Sequence, residues 1–354
     1  MKSYSKKQQQ KEVVKTPAPT QASVSQATEN AQLSRKDVQQ MITDFVIRRL
    51  EEGVIPWQMP FKGYCVPHNY VSKRAYRGIN TLLLASLNYE HPYFLTFDQV
   101  KELGGKVKKG EKGIPVVFWK MVKSDKETHT NRQGEEVANE KPLLKYYYVW
   151  NVAQTENVVY DFPKPIEFKE SDTIIAGENI YLSMPQKPRL EITNRVQAFY
   201  SPSEDYVHMP SKEYFKSNHD YYATLFHELI HSTGHKSRLN REEMEGMSFF
   251  GDENYSKEEL TAEIGAAFLC AEIRIDTLNV LNRSASYIQS WLRKLKDDKT
   301  FIFRASSKAQ KAVDFILGNS YEAKPNNAVQ PQPVIGAEQE AEFVSQEVVN
   351  DLPF

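Results

Sequence analysis

Apolar residues recur at helical spacing from Lys36 to Glu52, where Val38, Met41, Ile42, Phe45, Val46 and Leu50 share a face and Gly53 ends the run. A second helix is predicted to begin near Ile79 and cover TLLLASLN. A short third helix falls in LTFDQVKELGG, with Thr96 as its cap and Gly104 and Gly105 at its end. The pattern then changes. Lysine-rich KVKKGEKG leads into the apolar run IPVVFWKMV, which reads as a buried strand, and PLLKYYYVWNV reads as its hairpin partner across a polar connection from Ser124 to Lys141. Together these elements predict a mixed α+β unit ending near Glu156.

From Asp161 to Leu190 the chain is Pro-containing and irregular at first, and AFYSPSEDYVHMP supplies short strand-like pieces. Helical stretches follow around YYATLFHELIHSTGH, TAEIGAAFLCAEIRI, ASYIQSWLRKLKDD and KAQKAVDFILGN. The expected organisation is an arm over 1–34, a mixed α+β domain over 35–158, a mainly helical domain over 159–320 and a tail over 321–354. No internal repeat interrupts this scheme.

Composition supports two folded domains between unstructured ends. The chain has 354 residues, 40% hydrophobic, 12% aromatic and 26% charged, a length beyond that of most single cores. Its mean hydropathy of −0.59 is low for a globular protein, and the ends account for it. Residues 1–32 are rich in Gln, Ser, Thr and Lys, and residues 321–354 in Pro, Gln and Glu, so neither can bury enough apolar surface to order itself. No apolar core follows the basic start, and no window approaches the roughly 18–20 apolar residues of a membrane helix. A cytoplasmic protein is therefore expected. The two cysteines, Cys65 and Cys270, exclude a disulfide framework and a Cys-based zinc finger, and are expected to be buried and reduced.

Net charge is −1 but unevenly spread. From Arg35 to Trp150 nineteen Lys and Arg face thirteen Asp and Glu, giving +6, whereas residues 321–354 hold one Lys and six acids, giving −5. This asymmetry predicts a polyanion-binding part and a separate acidic tail.

The densest chemistry lies in HELIHSTGH. His227 and His231 are four apart, so on a helix they stand on one face and can offer imidazole nitrogens to one ion. Glu228 lies roughly 100° around the helix from His227, the place of the general base in an HExxH arrangement. A catalytic zinc takes three protein ligands and leaves a position for water. A third histidine in the HExxHxxGxxH pattern would fall on Ser237, and His235 comes two residues too early, so the metzincin pattern is excluded. In SKEELTAEIGAAFL, Glu259 and Glu263 share a helical face. Glu263 sits among small and apolar residues, where an unpaired charge is costly. It is the expected third ligand, with Glu259 as the alternative or as its support. His235 fits a helix C-terminal cap or structural hydrogen bonder, with transition-state stabilisation as the alternative. The implied chemistry is hydrolysis in which zinc acidifies a water, Glu228 takes its proton, and a polarised carbonyl is attacked.

The N-terminal domain carries what binding a single strand requires, cationic groups for phosphates and aromatic faces for bases. Lys106, Lys108, Lys109 and Lys112 lie in a Gly-punctuated loop, while Lys73, Arg74 and Arg77 alternate with Tyr70 and Tyr76. Trp57, Phe61, Phe118, Trp119, Tyr147 and Trp150 add aromatic surface, of which Phe118 and Trp150 fit a core best. The competing expectation is that most of these aromatics form the core and that the lysines are a solvated loop.

On these residues the chain resembles the ArdC family of antirestriction proteins and the N-terminal region of the related TraC-type primases. LEEGVIPWQMPF, PHNYVSKRAYRGIN, FLTFDQVKELGGKVKKGEKGIPVVFW and YYVWNVAQTE resemble the family's single-stranded-DNA-binding domain. AFYSPSEDYVHMP, YYATLFHELIHSTGHKSRLNR and EELTAEIGAAFL resemble its zincin-like metallopeptidase domain. The resemblance covers about residues 36 to 320. It implies a mobile-element setting, protection of incoming DNA from restriction, single-stranded DNA as a partner, Zn2+ as cofactor and a possible host protein as peptidase substrate. The alternative is a non-catalytic protein that coats DNA and keeps a structural or vestigial zinc site. Glu228 favours a hydrolase, because a purely structural site needs no base. The terminal Asp351-Leu352-Pro353-Phe354 resembles the tip of bacterial single-stranded-DNA-binding proteins, implying a possible protein partner.

Overall fold

The computed structural model describes residues 38–58, 66–130, 136–163, 169–244, 253–277 and 285–319. The expectations for the two tails, the C-terminal tip, Phe61 and Cys65 lie outside these residues.

Helix α1 occupies residues 38–51 and buries the predicted stripe of Val38, Ile42, Phe45, Val46 and Leu50. Its partners, however, come largely from the far end of the chain. The helices α7 (Ala285–Asp297) and α8 (Phe301–Ile316) share one apolar core with it. Thr43 donates to the Lys299 carbonyl at 2.8 Å, and Trp57 meets Trp291 edge to face with ring centroids 5.3 Å apart.

The N-terminal sheet runs β1-β2-β5-β4, built from His68–Asn69, Tyr93–Leu95, Glu136–Asn151 and Ile114–Thr130 in that order. Helix α2 (Ile79–Ser86) contributes Leu84 to a core that also holds Tyr76, Phe94, Ile114, Val116 and Val149. Helix α3 (Phe97–Glu102) starts where the sequence predicts. Thr96 accepts from the Gln99 amide while the Gln99 side chain accepts from the Thr96 amide, a capping box that satisfies two otherwise orphaned donors. The β4–β5 hairpin continues through most of the segment expected as a polar connection, pairing out to Thr130↔Glu136 with an irregularity between Lys123 and Thr128. An antiparallel ladder is held by its main chain, so polar side chains do not end it. Strands β3 (Lys106–Val107) and β6 (Thr155–Glu156) form a separate short ribbon beneath α3.

The C-terminal unit contains a helix the sequence did not reveal. Helix α4 (Glu170–Ser183) lies within the stretch read as irregular. Its buried residues are Thr173, Gly177 and Ile180, too weakly apolar to give a helical period, and Gly177 lies against the Tyr222 ring. A three-stranded sheet follows, with β9 (Tyr206–Pro210) between parallel β7 (Arg189–Thr193) and antiparallel β8 (Phe199–Ser201). The helices α5 (Asn218–Thr233) and α6 (Glu253–Glu272) pack together and on α8, and α5 also packs on this sheet. The fold is α+β in two units, mixed at the N-terminus and mainly helical at the C-terminus.

Candidate metal centre and nucleic-acid face

Helix α5 starts where the Ser217 side chain accepts from the Asp220 amide, and it buries Tyr221, Tyr222, Leu225, Phe226, Leu229 and Ile230. That apolar face fixes which side of the helix carries His227 and His231. Helix α6 crosses it closely at Gly265, where a Cβ would lie 2.7 Å from Cδ1 of Ile230. The absent side chain lets the α6 carboxylates reach the α5 imidazoles.

The two imidazoles converge through their Nε2 atoms, 3.1 Å apart. Glu259 completes the group, with Oε1 3.2 Å from Nε2 of His231 and Oε2 3.7 Å from Nε2 of His227. One donor from each of these residues lies within 4.8 Å of the others. Ligands about 2.0–2.2 Å from a tetrahedral ion stand roughly 3.3 Å from each other, so this donor set fits a divalent metal.

Glu263 takes a different place from the one expected. Its Oε1 is 3.6 Å from Nδ1 of His227, on the opposite side of the ring from the converging nitrogens. The donors that converge on one point are those of His227, His231 and Glu259, the alternative of the two glutamates, while Glu263 stands at the other nitrogen of His227. On the other imidazole, Glu258 Oε1 lies 3.3 Å from Nδ1 of His231. Each histidine thus has a carboxylate behind it and its outward nitrogen directed to the common point, the arrangement that fixes ring orientation and tautomer at metal sites. Glu258 is fully buried and paired with Arg241, whose Nε donates to it at 2.9 Å. Arg241 also donates to the Ile230 carbonyl at 2.8 Å and to Thr233 Oγ1 at 2.6 Å, tying the loop after α5 to the end of that helix.

Sequence reasoning missed Glu258 and Arg241. The only signal was a third glutamate beside Glu259, and an arginine ten residues after His231 has no spacing that announces it.

The electrostatics agree with a place for a cation. Burial pushes the His231 pKa down, but Glu258 and Glu259 outweigh it and raise the value to about 10. Burial likewise raises Glu258, and Arg241 and His231 reverse this, leaving its carboxyl below the usual range. The two carboxylates thus favour positive charge at this point of the structure. Glu228 is 8% exposed, one residue from His227 on α5. His235 hydrogen-bonds Ser237 Oγ at 2.8 Å, and its amide donates to the Ser232 carbonyl at 3.1 Å, as a helix end requires.

The expected DNA-binding residues divide. Trp57 is 0% exposed against Trp291, and Tyr76 is buried in the core under α2, so neither offers a face to a base. The proximity of Tyr76 to basic residues and the aromatic character of Trp57 suggest a binding face, but a ring next to apolar neighbours gains more from burial in a core. Arg77 pairs with Asp314 of α8 and so joins the two units. Lys73 and Arg74 are exposed, with Lys73 Nζ 3.9 Å from the Tyr70 ring centroid. Lys106 pairs with Glu156 at 3.2 Å, Lys108 Nζ donates to the Ala153 carbonyl at 2.7 Å, Lys109 is exposed, and Lys112 is half-buried. Phe118, expected in the core, is 40% exposed.

Fold and site together define a zincin-like metallopeptidase domain behind a separate N-terminal domain. Residues 185–308 match the zincin-like metallopeptidase family, and residues 36–150 match the N-terminal domain of anti-restriction factor ArdC. The chain belongs to the ArdC family of antirestriction proteins. It is similar to the crystal structure of the antirestriction ArdC protein from R388 plasmid in its metal-free form, at 37% identity and a TM-score of 0.61 over 80% of this chain and 97% of that one. The Mn(II)-bound structure of that protein matches at 36% identity with the same TM-score of 0.61, over 81% and 99% of the two chains. DNA primase TraC of Escherichia coli is 31% identical over 336 residues, 89% of this chain. The chain spans only 30% of that primase's length.

Proposed function

We propose that the protein binds single-stranded DNA through a domain over about 35–158 and carries a zinc peptidase site in a domain over about 159–320. Its ligands are His227, His231 and Glu259, its general base is Glu228, and it acts in the cytoplasm. The observation that carries the hydrolytic half is the convergence of two Nε2 atoms and one carboxylate on a helix that also carries buried Glu228, next in sequence to His227. A structural metal site needs the first three groups but has no use for the fourth.

A bound zinc ion supplies Lewis acidity, polarising a substrate carbonyl and making a nearby water more acidic. The remaining work falls to the chain. Glu228 takes the proton of that water and returns it to the departing amine. Glu263 and Glu258 hold the imidazoles in register, and Arg241 keeps Glu258 ionised. Exposed Lys73, Arg74 and Lys109, with Lys106, Lys108 and Lys112 in the same basic loop, supply phosphate contacts in the N-terminal domain. The DNA reading rests on these cations and on the family to which the domain belongs.

The test is to follow cleavage of the protein itself and of a mixed protein substrate by mass spectrometry, with zinc, with and without single-stranded DNA, against Glu228→Gln. The variant is expected to keep its metal and lose cleavage. If wild type and variant are equally inert while both bind DNA, the protein is a DNA-coating factor with a structural metal.

A further inference from the structure

Strand β5 carries Tyr146, Tyr148 and Trp150 at alternate positions, so all three project from one face of the hairpin. The register places Val117 opposite Tyr146 and Trp119 opposite Leu144, which puts Trp119 on that same face. The opposite face holds Ile114, Val116 and Val149 and is closed by the core under α2. On the Tyr146 face Pro115 and Val117 are buried and Val117 joins the main core, so what stays open there is a set of rings. Tyr146 is 40% exposed and Trp119 is 58% exposed.

From Tyr146 onward the row is continuous, with Trp119 diagonal to Tyr146 across the strand pair. Tyr146 and Tyr148 have ring centroids 5.8 Å apart, Tyr148 and Trp150 6.5 Å, and Trp150 and Phe97 of α3 5.8 Å. At the Trp150 end the backbone of Gly113 lies directly against the rings, where a Cβ would sit 2.8 Å from Trp150 Cζ2 and 2.9 Å from Tyr148 Cβ. Gly113 thereby brings the lysine-rich loop up to the row. Lys101 Nζ stands 4.3 Å from the Phe97 ring centroid on the other flank. From Phe97 to Lys112 five lysines face three acids, a local charge of +2.

We infer that this outward face of β4–β5 is a base-stacking track for single-stranded nucleic acid, running from Trp119 past Tyr146 and Tyr148 to Trp150 and Phe97. The inference rests on the reading of the N-terminal domain as a single-strand binder and names the surface that does the binding. Ring spacing selects the ligand. Stacked bases repeat about every 3.4 Å along a strand, so rings about 6 Å apart match a stretched strand whose bases are separated from one another, each against its own ring. Bases in a duplex are paired and stacked and cannot reach such a row. The phosphates then run toward the lysines at the Trp150 end, and base stacking on aromatic rings tolerates any sequence.

The experiment uses the full-length chain and fluorescein-labelled oligothymidylate, read by fluorescence anisotropy, with an abasic oligonucleotide of equal length as a second probe. Trp119→Ala and Tyr146→Ala remove exposed side chains, and unchanged thermal unfolding verifies that each variant folds. Each is expected to weaken oligothymidylate binding on the order of fivefold to a hundredfold, to leave abasic-strand binding and the salt slope unchanged, and Tyr146→Phe is expected to restore affinity. Equal loss on both probes would mean that the rings only shape the site, and would overturn the stacking track. Wild-type affinity in both alanine variants would place the strand elsewhere on the domain and overturn this inference alone. Failure of the wild type to bind oligothymidylate would overturn both this inference and the reading beneath it. A change in sedimentation without a change in DNA affinity would make the face a self-association surface instead.

Discussion

Glu259 and Glu263 are one helical turn apart on α6, and both were visible as candidate ligands. The difference between them lies in which nitrogen of His227 each meets, Nε2 for Glu259 and Nδ1 for Glu263. Glu259→Ala is therefore expected to abolish tight metal binding. Glu263→Ala, which removes only the group behind a ligand, is expected to weaken it about 10- to 100-fold. Calorimetric titration with zinc distinguishes the two, and equal losses would mean the assignment is wrong. The same titration tests the state of His231. Its pKa of about 10 in the metal-free chain means that the ring is charged at neutral pH, and it must be neutral to bind a metal. Zinc binding at pH 7.5 is thus expected to release a proton, measured as a heat that depends on the ionisation enthalpy of the buffer. A raised pKa contributes stability in full below the unfolded value of 6.5 and loses it as pH rises towards 10. The metal-free protein should accordingly melt at lower temperature on going from pH 6.5 to pH 10.

At the scale of elements, the site depends on how closely α5 and α6 approach. A glycine inside a helix is ordinarily worth less than alanine by about 1 kcal/mol, so Gly265→Ala on propensity alone would stabilise. The contact with Ile230 reverses that expectation, because an added Cβ overlaps a fully buried side chain. Overpacking costs about 1–3 kcal/mol. Gly265→Ala is therefore expected to lower the melting temperature and to weaken metal binding by pushing α6 away from the imidazoles. A stabilised variant with unchanged affinity would show that the helices can yield there. Much at this scale was legible beforehand. Helices α1, α2, α3, α5, α6, α7 and α8 all fall on stretches of helical period, and Thr96 caps α3 as its side chain and position require. Helix α4 was hidden because only one residue of its buried stripe, Ile180, is strongly apolar, and β7 because a five-residue strand with half-exposed residues has no strong alternation.

Over the whole molecule, the two units are joined by more than their linker. Helix α1 begins the N-terminal unit in sequence, yet its apolar stripe and Trp57 are covered by α7 and α8 from the other end of the chain. Arg77 with Asp314, the Gly78 amide with Gln310 Oε1 at 3.0 Å, and Lys296 with Glu51 at 2.6 Å add polar ties across the same junction. Trp57→Ala is expected to cost about 3–5 kcal/mol, and the loss should appear in the unfolding of both units, followed by tryptophan fluorescence and by metal release. A fragment restricted to 159–320 lacks α1 and exposes that core, so it is expected to be less soluble and to melt lower than the full chain. A fragment as stable as the full chain would mean that α1 is only an accessory to the C-terminal unit.

The sequence by itself determined the helix periods, the α+β class, the two-unit order and the His227-Glu228-His231 group, because each is written in spacings of a few residues along one element. Which glutamate faces Nε2, the pairing of Arg241 with Glu258, and the burial of Trp57 and Tyr76 were decided by the tertiary structure. All of these depend on how separate elements cross, and periodicity within one element carries no information about its partner. The row formed by Tyr146, Tyr148 and Trp150 stands between the two cases. Its alternation was present in YYYVW, but only the register with β4 and the close approach of Gly113 made one side of the strand a surface.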